Sequence, residues 1–495
     1  MTSFADLMAF QRDTEALGEI AGRLNWDQET MMPPGAAQQR GEEMAAIEGV
    51  LHARRTDPRV GEWLATAQAE GPVEQRALQL IGRAFRRYAC IPARLATEVA
   101  RVTSVSQGVW ADARARNDVA HFLPTLQKVV ALKREQGEAL AAGGFGRDAY
   151  DALLDDFEPG MTAATLADMF GRMRPRLLAL REAVLGASFQ PAPLGGKYPV
   201  DQQLALAREL ADAFSYDWSR GRLDLAVHPF SSGSGQDVRI TTRVVEGEPF
   251  NCFYSTIHEV GHALYELGID TRHGLTPLGH GVSSGVHESQ SRICENQLGR
   301  SRAFTGWLLQ RLQARFDTHA LPEAEAFYAT VNRVHPGYIR TESDEVHYNL
   351  HVMLRFDLER GLMAGTLDPR DLEEAWNERF GRDFGVAVDA PANGVLQDVH
   401  WSIGAFSYFP TYTLGNVYAG CLWKALRDAV PDVDVCLALG DARPATAWLR
   451  EKLHCHGSLR PPAETVAQAC GFTPTEEPLL DYLEAKFRGI YRLRG

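Results

Sequence analysis

The sequence has no run approaching the roughly 18 consecutive apolar residues that a membrane-spanning helix needs, so none is expected. Its first residues lack a basic stretch followed by an apolar one, and no secretory signal is read there. Cysteine is sparse: Cys90, Cys252, Cys294, Cys421, Cys436, Cys455 and Cys470 are odd in number, scattered and without a Cys-x-x-Cys pair. That excludes a disulfide framework or a zinc ribbon and leads us to expect reduced thiols in the cytoplasm. Positive charge is also short. With 51 Lys and Arg against 64 Asp and Glu the formal net charge is −13, the opposite of the basic surface that displaces counterions from nucleic acid. No internal repeat or low-complexity tract is evident.

What is present is an ordinary globular composition, 45% hydrophobic and 23% charged over 495 residues, enough for a large core. Residues 1–225 are rich in Ala, Leu, Arg, Glu and Gln, with apolar residues at helical spacing, as at Phe122, Leu126, Val129 and Val130. Breaks are expected at Met32-Pro-Pro-Gly, Ala142-Gly-Gly-Phe-Gly and Pro191-Ala-Pro-Leu-Gly-Gly. Between Asp237 and Val245 the period drops to two, bounded by the Ser231-Ser-Gly-Ser-Gly segment read as a turn, which predicts a short strand and a small sheet. Helix then returns: Val346, Leu350, Met353, Leu354 and Leu358 make one stripe, and a Gly, Pro and aromatic-rich stretch over 391–416 interrupts it. We divide the chain into an N-terminal helical region, 1–225, forming a groove wall or lid, and a catalytic region, 226–495, the two making one continuous unit.

The sharpest local signal is His258-Glu259-Val260-Gly261-His262 in an apolar run that Gly268 closes. On a helix, positions i and i+4 share a face, so His258 and His262 can aim imidazole nitrogens at one zinc ion. Glu259 then lies beside the metal, placed to take a proton from a water that the metal acidifies and to pass it to the leaving amine. A zinc hydrolase needs a third protein ligand. Glu266, His280, His287, Glu288 and Glu295 are candidates, and spacing alone does not choose between Glu288 and Glu295 on the helix expected from Gly285 to Gly299. His347 and His351, also i and i+4, lack the intervening Glu. His454 and His456, at i and i+2, point apart on a helix.

Six segments taken together resemble the carboxypeptidase Taq family of zinc metallocarboxypeptidases, in the larger gluzincin group. They are His228-Pro229-Phe230, Asp237-Val-Arg239-Ile-Thr241, the motif His258 to His262, His287-Glu288-Ser289-Gln290, Ile339-Arg340-Thr-Glu-Ser343-Asp344, and Gly394-Val-Leu-Gln397-Asp398-Val-His400-Trp401. The resemblance implies Glu288 as third zinc ligand, with Glu295 on the helix surface or behind the ligands. It also implies a homodimer with broad specificity. The chain departs from the family's usual Ala at Ser343, aromatic at Cys294 and Gly at Ser407, none of them an expected ligand or the general base.

A carboxypeptidase must hold its substrate's terminal carboxylate, and an Arg fork suits that anion. Arg340 is the leading candidate, against an internal ion pair with Glu342 or Asp344; Arg239 is read chiefly as structural. His400 and Tyr408 are expected to stabilise the oxyanion, as a His and a Tyr do in gluzincins that the chain resembles, and Tyr412 and His228 to line the substrate pocket. The expectation is therefore a mainly α, gluzincin-type fold with a small β-sheet beside a deep groove. It would bind zinc, with cobalt a possible substitute, and release single amino acids from peptides with a free C-terminus. An oligopeptidase or dipeptidyl carboxypeptidase of the same chemistry, or a helical peptide-binding protein with structural zinc, are the alternatives.

Overall fold

The architecture follows the punctuation in the sequence. In a computed structural model that describes residues 3–316 and 321–493, the helix Ser3–Thr30 stops just before Pro33 and Pro34, and Val119–Ala142 ends where Gly143 and Gly144 follow. Ala163–Leu185 gives way to an irregular Pro- and Gly-rich stretch before Val200–Ala213. Phe122, Leu126, Val129 and Val130 are all buried. Each such side chain withdrawn from water contributes about 1.5–3 kcal/mol. Among the described residues no helix is long and apolar enough to cross a membrane, and all seven cysteines are free.

Packing gathers the chain into two units, each built from three separate segments. The first comprises Met1–Tyr88, Pro191–Asn332 and Gly415–Pro478; the second comprises Ala89–Gln190, Arg333–Leu414 and Leu479–Gly495. Residues from both sides of position 225 contribute to each unit.

The first unit holds the sheet, β1 (Leu223–Leu225), β2 (Ser231–Ser234) and β3 (Asp237–Thr242), in the order β1-β3-β2. β1 runs parallel to β3 and β2 antiparallel, with Ile240 opposite both Leu223 and Ser231. β3 is the strand that the alternation predicts, and Val238 and Ile240 are fully buried on it. The segment read as a turn, Ser231–Ser234, is instead a strand. Ser and Gly favour strands little, but pairing with β3 satisfies this backbone and outweighs propensity. Beneath the sheet lies the motif helix, Pro249–Gly268, with Pro249 at its first position and its end at Gly268 as expected. It is apolar nearly all round and accordingly buried, packed against β3, the helix Val200–Ala213 and the helix Ser284–Arg292. The N-terminal helix is tied to the sheet by Trp26, whose ring lies under the guanidinium groups of Arg239 and Arg222, and by the Arg23–Asp237 ion pair at 3.1 Å.

In the second unit the helix Glu345–Ala364 is central. Asp344 caps it, accepting from the N–H groups of Val346 and His347, and the stripe Val346, Leu350, Met353, Leu354, Leu358 is wholly buried. Val119–Ala142, Ala149–Leu154, Ala163–Leu185 and Leu372–Phe384 pack around it. After a single 3₁₀ turn, Pro391–Asn393, the stretch that follows stays irregular until the helix Pro410–Ala429 begins.

Candidate active site

His258 and His262 stand one turn apart on the motif helix, and Nε2 of each approaches the same carboxylate oxygen, Glu288 Oε2, at 3.8 and 3.4 Å. Glu288 comes from the helix Ser284–Arg292, whose first turn is capped by Ser283. The three ligand atoms lie within 4.8 Å of one another, and this is the one such group among the described residues. Bonds of about 2.0–2.1 Å in tetrahedral array set ligand atoms roughly 3.3 Å apart, so two imidazole nitrogens and this carboxylate fit a divalent ion. Burial works against charge on Glu288. Arg292, with Nε 2.6 Å from Oε1, and the two imidazoles outweigh it and hold the carboxyl well below its ordinary range. Glu259, 6% exposed, has the reverse balance: burial pushes its carboxyl up to about 7, opposed by His258 and reinforced by Glu288 and Glu295.

The remaining ligand candidates fall behind the histidines or away from them. Glu295 accepts at 2.8 Å from Nδ1 of His258, the nitrogen facing away from Glu288, and also binds Arg300 at 3.2 Å. It reaches that place from a π-turn, Ile293–Gly299, in which the helix of Glu288 widens. Of the two glutamates that spacing leaves open, Glu288 is the one whose carboxylate groups with both histidine nitrogens. His287 Nδ1 lies 2.6 Å from Nδ1 of His262, and Glu266 Oε1 lies 3.0 Å from Nε2 of His287. His280 pairs with Glu15 at 3.1 Å.

The second unit carries another charged cluster. Arg340, 4% exposed, donates from Nε and Nη2 to Asp398 at 3.2 and 2.9 Å and from Nη1 to the Tyr348 hydroxyl at 3.1 Å. Its ion-pair partner is thus Asp398, not Glu342 or Asp344. Arg355 shares Asp398, with Nε 2.7 Å from Oδ2. Burial opposes the Asp398 charge, but the two guanidinium groups hold this carboxyl far below the usual range. His400 Nε2 lies 3.1 Å from the Tyr412 hydroxyl, and its ring neighbours Tyr408 and Phe409. Burial pushes the His400 imidazole down to about 3, against the pull of Asp398. The reading of the sequence missed Asp398 as the organiser, although it stands in the quoted Gln397-Asp398-Val-His400 segment.

His228 is exposed on the loop between β1 and β2. Arg239 pairs with Asp237 at 2.8 Å, the structural role expected for it. His347 is held by Asp344 and stacks on Phe384, His351 meets the same ring at a tilt, and His454 bonds Gln290 at 2.8 Å.

The family model of the carboxypeptidase Taq (M32) metallopeptidases matches residues 6–487. Thermostable carboxypeptidase 1 of Thermus thermophilus is 41% identical over 506 residues, covering 99% of each chain. The crystal structure of the M32 carboxypeptidase from Deinococcus radiodurans R1 superimposes with a TM-score of 0.92 at 36% identity, over 99% of both chains. Trypanosoma cruzi metallocarboxypeptidase 1 gives 0.93 at 34% identity, over 98% of this chain and 99% of that one. A mainly helical chain with a small sheet, a His-His-Glu group that fits a divalent ion and relatives matched end to end belongs to the carboxypeptidase Taq family and is a metallocarboxypeptidase.

Proposed function

We propose that the chain is a zinc carboxypeptidase that removes single amino acids, with broad specificity, from peptides bearing a free C-terminus. The observation that carries this is the convergence of His258, His262 and Glu288 with the buried carboxylate of Glu259 directly following the first histidine. When bound, the ion supplies Lewis acidity to a water and to the scissile carbonyl. Glu259 takes the proton from that water and returns it to the departing amine. His400, kept neutral by its burial, and Tyr408 donate to the developing oxyanion. Arg340 anchors the terminal carboxylate: three of a guanidinium's five N–H donors are spent on Asp398 and Tyr348, which fix its plane, and two remain. Tyr412 and His228 line the substrate's path. Cobalt is the expected functional substitute for zinc. Free thiols throughout support a cytoplasmic enzyme, and the family resemblance supports a homodimer.

Metal analysis combined with mass spectrometry of a free-acid peptide and its C-terminally amidated twin tests the reading. About one zinc per chain, with stepwise loss of single residues from the free acid alone, is the expected result. Internal cleavage of both peptides would reassign the enzyme as an oligopeptidase. Release of dipeptides would make it a dipeptidyl carboxypeptidase. Zinc without cleavage would make the ion structural.

A further inference from the structure

The two histidines of the triad are backed differently. Behind His258 stands a carboxylate, Glu295; behind His262 stands another imidazole, His287, with a carboxylate one step further on at Glu266. His258, His262 and Glu266 follow one another at i, i+4 and i+8 on the motif helix, so Glu266 shares the ligand face but lies a turn beyond the triad. His287, reaching over from the neighbouring helix, bridges that gap.

We infer that His287 and Glu266 form a positioning relay that fixes the ring and tautomer of His262, a reading that rests on the zinc triad proposed above. If Nε2 of His262 gives its lone pair to the ion, its proton sits on Nδ1. At 2.6 Å that N–H donates to Nδ1 of His287, which must therefore present a lone pair and carry its own proton on Nε2. Nε2–H in turn donates to Oε1 of Glu266 at 3.0 Å, an oxygen that also accepts from the Gly281 N–H at 2.9 Å. Every proton in the chain His262, His287, Glu266 thus has one allowed place. The slot for the relay is cut by Gly281: a Cβ there would fall 2.7 Å from His287 Cδ2 and 3.2 Å from Glu266 Oε1.

The test is zinc affinity, measured on metal-free protein by competition with a chromogenic chelator, so that no activity is needed. His287→Ala is expected to weaken zinc binding about 10–100-fold. His287→Asn, whose amide oxygen can still accept from His262 Nδ1–H, is expected to recover most of that loss; His287→Leu, which fills the space without an acceptor, is not. Wild-type affinity in all three, or recovery by Leu equal to that by Asn, would overturn the relay in favour of packing alone. Long-range 15N correlation spectra of the zinc-loaded wild type give an independent reading should the variants not fold. His287 must carry its proton on Nε2, and a proton on Nδ1 sinks the inference. The underlying triad fails separately, if the wild type does not bind zinc or if His262→Ala binds as tightly as wild type.

Discussion

Replacing Gly261 by alanine puts one methyl group where the motif helix meets the helix of Glu288. The new Cβ would lie 2.4 Å from the Gln290 carbonyl oxygen and 2.6 Å from Ser291 Cα, both backbone atoms that no rotamer can move. Contact at roughly 3.5 Å requires the second helix to retreat by about 1 Å. Glu288 rides on that helix, and its Oε2 stands 3.4 and 3.8 Å from the two histidine nitrogens, close to the spacing that an ion demands. Metal sites tolerate only ~0.2 Å of displacement, so zinc affinity should fall roughly 10–100-fold. Stability is a contest: alanine gains about 1 kcal/mol of helix propensity, whereas overpacking costs about 1–3 kcal/mol. The metal-free variant should therefore be equal to wild type or less stable by up to about 2 kcal/mol. Gly306, on the helix Arg302–Arg315 with nothing near its missing Cβ, is the control, since the same substitution there should stabilise by up to about 1 kcal/mol and leave zinc untouched. Chelator competition and calorimetry of the metal-free and zinc-loaded forms read both effects. If Gly261→Ala binds zinc as wild type does and melts higher, as Gly306→Ala should, the close approach of the helices does not set the ligand geometry.

Glu259→Gln should keep zinc and lose about 10²–10⁴-fold in kcat, and near-wild-type turnover with zinc in place would remove Glu259 as general base. Asp398→Ala leaves Arg340 and Arg355 buried side by side without their shared anion, at a cost of about 3–5 kcal/mol. A urea midpoint unchanged from wild type would refute that pairing. The Glu15–His280 contact makes stability depend on pH. Burial opposes the charge on His280, but the hydrogen bond to Glu15 outweighs it and raises the imidazole to about 9. This contribution is full below the ordinary histidine value near 6.5 and fades as pH rises through about 9. Glu15, held below its usual range despite burial, gives its share above about 4.5. Melting temperatures of wild type and His280→Asn should converge between pH 7 and 10, modestly because the imidazole is 41% exposed, and curves that run parallel would exclude the pair as the cause.

How much of this was legible in the sequence depended on how local the cause was. The motif helix, its stop at Gly268 and the strand at Asp237–Thr242 follow from periodicity and punctuation within one segment, and all three stand where they were expected. Glu288 and Glu295 could not be ranked because both sit on one helix, and what distinguishes them is which nitrogen of His258 each faces. The π-turn that carries Glu295 has no periodic signature in seven residues. Local spacing offers Arg340 acidic neighbours two and four positions away, whereas its carboxylate lies 58 positions along the chain, beyond the reach of any local rule. Ser407, where the family resemblance leads to an expectation of glycine, takes φ +66°, a left-handed conformation. It is held there by hydrogen bonds to Glu359 and the Tyr150 carbonyl.

The interleaving of the two units bears on how the polypeptide is made. All three residues of the triad precede position 289, but the unit that contains them lacks Gly415–Pro478, and the other lacks the segment from Leu479 onward, until those later segments have been translated. The nascent chain therefore bears His258, His262 and Glu288 before Gly415–Pro478 exists to pack around them, with its core-forming apolar surface waiting on late segments. A premature stop codon at or before Pro478 leaves both units short. Neither unit corresponds to an unbroken stretch of gene that could be lost, duplicated or exchanged by itself.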